Sequence, residues 1–125
     1  MKLLLDTHVF LWWLDDSAQL SPRIRDAVSC PENLVYVSAV TLWEIVVKRS
    51  LGKLRIADEW TDVLASEAFR ALPVTWEHAL EVGRLPDLHR DPFDRLLLAQ
   101  ARVERLVLAT QDASMVRYPV ETLSA

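Results

Sequence analysis

The chain predicts a three-layer α/β fold with a mostly parallel central sheet. Two observations carry this reading. Short apolar runs (Leu3-Leu4-Leu5, Leu34–Val37 and Leu106–Ala109) are too brief for helices, and the first and last show none of the alternation of a half-exposed strand. Helix-forming stretches alternate with these runs, the arrangement that buries a parallel sheet under helices on both faces. Junctions that follow parallel strands share one edge of the sheet, and sites form there.

The opening stretch, Met1 to His8, sets the pattern: a buried strand ends directly in Asp6. Thr7–Leu14 reads as a short, very apolar helix. Its neighbours Trp12 and Trp13 point about 100° apart, so one ring faces the sheet and the other needs a second cover, within the monomer or from a dimer partner. Ser21 caps a helix that begins with Pro22 and runs to Ser29. Leu34–Ser38 is the second strand, rich in β-branched and aromatic residues.

A helix over Ala39–Ser50 follows, ending near Gly52. Glu44 is the one charged residue between Leu34 and Val47, and an acid buried there unpaired costs several kcal/mol. It must reach solvent, bind a cation or pair, and Lys48 stands four residues on. Further helices are expected over Asp58–Arg70, with Asp58 as cap, and from Thr75 to Gly83, with the edge strand Ala71–Val74 between them. His78 reads as a surface residue without a role. The loop Leu85–Pro92 leads into a helix reaching Glu104, with Asp91 as cap, Pro92 in the first position and Asp94 in the first turn. Leu106–Thr110 is a buried strand, Asp112 caps a short helix reaching Met115 or Val116, and Val120–Leu123 is a terminal strand.

Composition bounds the function. The 125 residues make one domain, half apolar, a quarter charged, with a formal net charge of −4. That charge argues against a generally basic nucleic-acid coat but leaves room for a local basic rim. The lone Cys30 forms no internal disulfide. No apolar run reaches the ~18 residues of a spanning helix, and no secretory leader is seen, so a cytoplasmic protein without a membrane partner is expected.

Asp6, Glu44, Asp94 and Asp112 are the candidate site residues. Each also has a plain reading as a helix cap or dipole partner. In the expected fold all four could converge on one sheet edge, where like charges repel unless a cation intervenes. Oxygen donors of this type suit Mg²⁺ or Mn²⁺, and no Cys cluster or paired-His spacing suggests zinc. Such a centre activates water for attack on phosphorus.

Four stretches resemble the PIN domain of VapC-type toxins, the ribonuclease half of bacterial VapBC toxin–antitoxin pairs. They are Leu4-Leu5-Asp6-Thr7-His8-Val9, Val37 to Ile45 around Trp43-Glu44, His89-Arg90-Asp91-Pro92-Phe93-Asp94 continuing to Ala101, and Leu108 to Asp112. They occur in the family's order over nearly the whole length. The resemblance implies Asp6, Glu44 and Asp94 as the central acidic set holding Mg²⁺ or Mn²⁺, with Asp112 a more variable fourth acid. It implies Thr7 and Thr110 as hydroxyls near the acids, Asp91 as a cap, a homodimer, a VapB-like antitoxin and an RNA substrate. Lys48, Arg49, Lys53, Arg90 and Arg95 are the candidates for contacting the RNA backbone. His8 stands where many relatives have Ser, and packing or surface roles compete with substrate contact there. Most of the five Trp are expected in the core or a dimer interface.

Two other readings remain open. A haloacid-dehalogenase-like phosphatase also starts with a strand ending in Asp, but needs a second Asp where His8 stands. A non-catalytic α/β interaction module would use the acids only as caps. A dinucleotide-binding module is disfavoured because Gly52 and Gly83 are the only glycines.

Overall fold

A computed structural model describes residues 1–66 and 68–125. Five parallel strands form one sheet in the order β3-β2-β1-β4-β5: β1 Lys2–Leu5, β2 Leu34–Ser38, β3 Arg70–Leu72, β4 Val107–Ala109 and β5 Thr122–Leu123. Among the described residues the α-helices are α1 Thr7–Leu14, α2 Pro22–Ser29, α3 Ala39–Ser50, α4 Trp76–Val82, α5 Pro92–Glu104 and α6 Ala113–Val116.

The central strand shows why the apolar runs are unbroken. Leu3 and Leu5 pack with Phe10, Ile24 and Val37 in one apolar cluster, while Leu4 packs with Leu97, Leu98 and Leu108 in another. Successive side chains leave opposite faces of a strand, so a strand covered on both sides is apolar at every position. All three leucines are fully buried.

Local chemistry sets the helix ends. Asp6, Ser21, Ser38, Thr75, Asp91 and Asp112 each accept a hydrogen bond from an amide in the first turn of the helix that follows. After α3, Gly52 adopts φ +71, with Gly52 N–H donating to Arg49 O and Lys53 N–H to Lys48 O. This paired closure favours glycine at the left-handed position.

Three expectations are corrected. The span Asp58–Arg70 is not an α-helix: Asp58–Ala65 forms a 3₁₀ helix, and Glu67 lies outside the described residues. Asp58 is not its cap, because its carboxylate pairs with Arg49 and Ala57 occupies the capping position without a side-chain bond. His78 is not at the surface. It is fully buried, its Nδ1 accepts from Thr75 N–H to close a capping box, and its Nε2 meets Glu104 at 2.8 Å. This clasp ties α4 to α5.

The tryptophans divide. Trp60 is in the core, and Trp12 and Trp13 pack partly buried against it, with the Trp13 ring edge-on to Phe69. Trp43 and Trp76 are 58% and 91% exposed, so within the monomer they are not core.

Candidate active site

β1 lies between β2 and β4, so the junctions after these three strands stand side by side. Each delivers polar groups to the same edge. The N–H of Asp6 extends the β1–β4 ladder to Ala109 O at 3.1 Å, and its Oδ1 accepts the Val9 amide at 2.7 Å. The side chain is thus held at the point where strand becomes helix, and it is buried. Burial pushes the Asp6 carboxyl up to about 6, against hydrogen bonding from Thr110 and Val9.

Glu44 enters from the second turn of α3 and is buried. Thr7 donates to its Oε1 at 2.6 Å, and Lys48 pairs with its Oε2. The i,i+4 pair with Lys48 therefore exists, as the spacing suggested. The hydrogen bond to Glu44 pushes the Lys48 ammonium up, with partial burial acting against it.

Asp94 rises from the first turn of α5. Asp91 performs the capping by accepting the Asp94 N–H at 3.0 Å, and the Asp94 carboxylate meets His89 Nε2 at 2.8 Å. Burial raises the Asp94 pKa, opposed by the His89 hydrogen bond, while the charges of Asp91 and Glu44 raise it further. Asp112 caps α6 through Oδ1, which accepts both the N–H and the hydroxyl of Ser114. Its partial burial acts upward, but the Ser114 bonds and the imidazoles of His89 and His8 outweigh this and hold its pKa below the ordinary value.

The four sequence-derived acids are therefore neighbours at one edge. Among the described residues, His89, Asp94 and Asp112 each offer a donor atom within 4.8 Å of the others. Asp6 and Asp112 line one cavity, and the charge of Asp94 acts on Asp6. Glu44 stands behind them with its two oxygens engaged by Thr7 and Lys48.

Sequence reasoning missed His89. Its only signal was a His in a two-proline loop, five residues before an acid at a helix start. The loop is fastened to the domain by Tyr118, whose hydroxyl accepts from His89 N–H at 2.7 Å and from Arg95 Nη1 at 3.2 Å. Arg95 also donates to Pro86 O at 3.0 Å and Val82 O at 3.1 Å. These bonds commit Arg95 to holding the loop, and Lys48 and Arg49 are committed to Glu44 and Asp58. Lys53 and Arg90 are exposed.

The donor set fits a hard divalent cation. Ligands sharing such an ion at 2.0–2.6 Å lie within roughly 4–5 Å of one another, and the site is dominated by carboxylate oxygens whose charges disfavour one another. The His89 imidazole, 2.8 Å from the Asp94 carboxylate, stands where an outer hydrogen-bonding partner would orient that ligand.

Comparison with known proteins identifies the family and the fold. The family model described as PIN domain matches residues 3–121. Ribonuclease VapC22 of Mycobacterium tuberculosis is 30% identical over 114 residues, covering 88% of this chain and 86% of the relative. The fold matches that of VapBC2 from Rickettsia felis bound to a promoter DNA fragment, with TM-score 0.74 at 15% identity, covering 99% of this chain and 98% of that one. It also matches a toxin–antitoxin complex from Klebsiella pneumoniae, with TM-score 0.67 at 18% identity, covering 98% and 96%. The family model spans nearly the whole chain and the curated relative is a VapC ribonuclease, so the chain belongs to the PIN domain family, in its VapC group.

Proposed function

We propose that residues 1–125 form a single PIN-like domain that acts as a metal-dependent endoribonuclease, the toxin of a toxin–antitoxin pair. The observation that carries this reading is the convergence of Asp6, Glu44, Asp94 and Asp112, two of them buried, at the carboxyl edge of the sheet. The relative named a ribonuclease and the structures of toxin–antitoxin complexes support it.

Asp6, Asp94 and Asp112 would hold Mg²⁺ or Mn²⁺, with Glu44 completing the acidic set. The bound ion would supply Lewis-acid polarisation of the phosphodiester and a water ionised near neutral pH. The chain's own residues do the positioning. Thr7 and Lys48 fix Glu44, the Val9 amide fixes Asp6, and His89 fixes Asp94. Carboxylates already held in place lose little freedom when an ion binds, so the site is organised before the substrate arrives.

Homodimerisation, a VapB-like antitoxin partner and a cytoplasmic site of action complete the proposal. No helix is long and apolar enough to cross a membrane among the described residues. The test is cleavage of total cellular RNA by purified, antitoxin-free protein, with Mg²⁺ or Mn²⁺, with chelator, and with Asp6→Ala alongside. Discrete fragments that require both the metal and Asp6 are expected. Cleavage that resists chelator and survives Asp6→Ala refutes the site.

A second reading keeps one observation in its favour, since Asp6 and Asp112 do cap helices. A folded protein that cleaves no RNA with either metal would favour that non-catalytic interaction module.

A further inference from the structure

A cavity of about 200 Å³ opens beside the acids, lined by Asp6, His8, Trp12, Gln111 and Asp112. Two of its walls are aromatic. His8 and Trp12 stand one turn apart on α1, with ring centroids 5.7 Å apart and planes inclined by 32°. Trp12 is partly buried and packs against the core, so its ring is held in place. His8 is exposed at the mouth. The opposite wall is equally fixed. Gln111 Oε1 accepts from Ser21 N–H at 2.8 Å, and its Nε2 donates to Gln19 O at 3.0 Å.

We infer that this cavity seats one base of a single-stranded RNA, stacked on Trp12 and His8, next to the phosphodiester held at the acids. The inference rests on the ribonuclease reading and adds a substrate-positioning subsite to it. Three features point this way. The cavity shares Asp6 and Asp112 with the acidic group, so an occupant lies within one nucleotide of any phosphate bound there. The Trp12 face is held by the core, which limits the ordering cost of stacking. The Gln111 amide is anchored at both ends by backbone partners, so the wall facing the rings keeps its place when a base enters. Unpaired bases offer the exposed faces such a platform needs, whereas bases in a duplex do not.

The test separates stacking from chemistry. Full-length protein is assayed on a single-stranded RNA that it cleaves, for kcat and KM. Trp12→Leu is expected to raise KM about tenfold, within the range of aromatic stacking losses, with kcat nearly unchanged. Trp12→Phe is expected to restore most of the affinity, and His8→Ala, at an exposed position, to give a smaller rise in the same direction. Independently of cleavage, the Trp12 indole N–H resonance is followed while RNA tetranucleotides are titrated into Asp94→Asn protein with Mg²⁺. A shift that saturates supports the subsite even if the wild-type chain cleaves no RNA, in which case the ribonuclease reading alone fails. Unchanged KM in both Trp12→Leu and His8→Ala, with no movement of the indole resonance, overturns the inference. So does a loss confined to binding the VapB-like antitoxin, which would make the cavity a protein-binding site.

Discussion

The hydroxyl of Thr7 donates a 2.6 Å hydrogen bond to the buried carboxylate of Glu44, so the residue following one acid holds the next acid in place. Thr7 is itself buried and lies 3.3 Å from the Thr41 hydroxyl one turn before Glu44. The first junction of the sheet is thereby linked to the helix that follows the second strand. Thr7→Val keeps the shape and removes the donor. It is expected to cost about 1–3 kcal/mol, because a buried charged acceptor loses a partner, and to lower RNA cleavage. Thr7→Ser is expected to retain most of both. Urea denaturation checks the first outcome, and a fully stable Thr7→Val protein would contradict it.

Acidity at Asp6 predicts an unusual pH profile for the metal-free fold. Its carboxyl stands at about 6 in the folded chain, against 3.8 for a solvent-exposed aspartate. A raised folded pKa gives stability that is fully present below the unfolded pKa and is lost as pH rises through the folded one. Asp6 therefore opposes folding near pH 7, by at most about 3 kcal/mol. Asp94, also raised, acts in the same direction, whereas Asp112, lowered, contributes stability that disappears only as pH falls through its folded value. In chelator, the melting temperature is expected to rise from pH 7 to pH 5 by less in Asp6→Asn than in wild type. With Mn²⁺ the wild-type advantage at pH 5 is expected to shrink or reverse, because protons and cation compete for the same oxygens. An equal pH response in both proteins would show that Asp6 titrates normally.

The strand-end acids were legible in the sequence because backbone periodicity and chemistry coincide there. Leu3-Leu4-Leu5 must be a strand covered on both faces, so Asp6 must sit at its edge. Asp91, Pro92 and Asp94 mark the start of α5 by capping rules alone. Long-range contacts were not legible in this way. His78 looked like a surface residue because its burial depends on Glu104, 26 residues away, and His89 had no visible role because the loop that aims it at Asp94 is fastened by Tyr118, 29 residues away. The span after Gly52 misled for a related reason. Trp60, Val63 and Leu64 have near-helical spacing, but Asp58 is drawn to Arg49 and the segment closes into a tighter 3₁₀ helix.

Lys48 competes with any cation for Glu44. Its ammonium pairs with Glu44 Oε2 while remaining about a third exposed. Lys48→Met leaves the carboxylate with Thr7 alone, and is expected to destabilise the metal-free fold by about 1–2 kcal/mol, less than a fully buried pair would cost. The same change removes a positive charge next to the acids. The rise in melting temperature on adding Mn²⁺ is therefore expected to be larger in Lys48→Met than in wild type. A smaller rise would mean that Lys48 organises the cation site instead of competing with it.

For the proposed homodimer, exposed apolar side chains on α3 and α4 offer a candidate contact distinct from Trp12 and Trp13. Trp76 is 91% and Leu80 71% exposed, one turn apart on α4, and Trp43 and Val46 are also more than half exposed on α3. Side chains four apart lie on the same face of a helix, so Trp76 and Leu80 form a continuous apolar patch. Trp12 and Trp13, by contrast, already pack against the chain's own core. In a homodimer that uses this patch, Trp76→Ser with Leu80→Ser shifts the sedimentation coefficient to the monomer value. The same pair of changes should leave the stability of the monomer fold within about 0.5 kcal/mol per site, as is usual for exposed positions. A dimer that survives both substitutions but dissociates on Trp13→Ser would return the contact to α1.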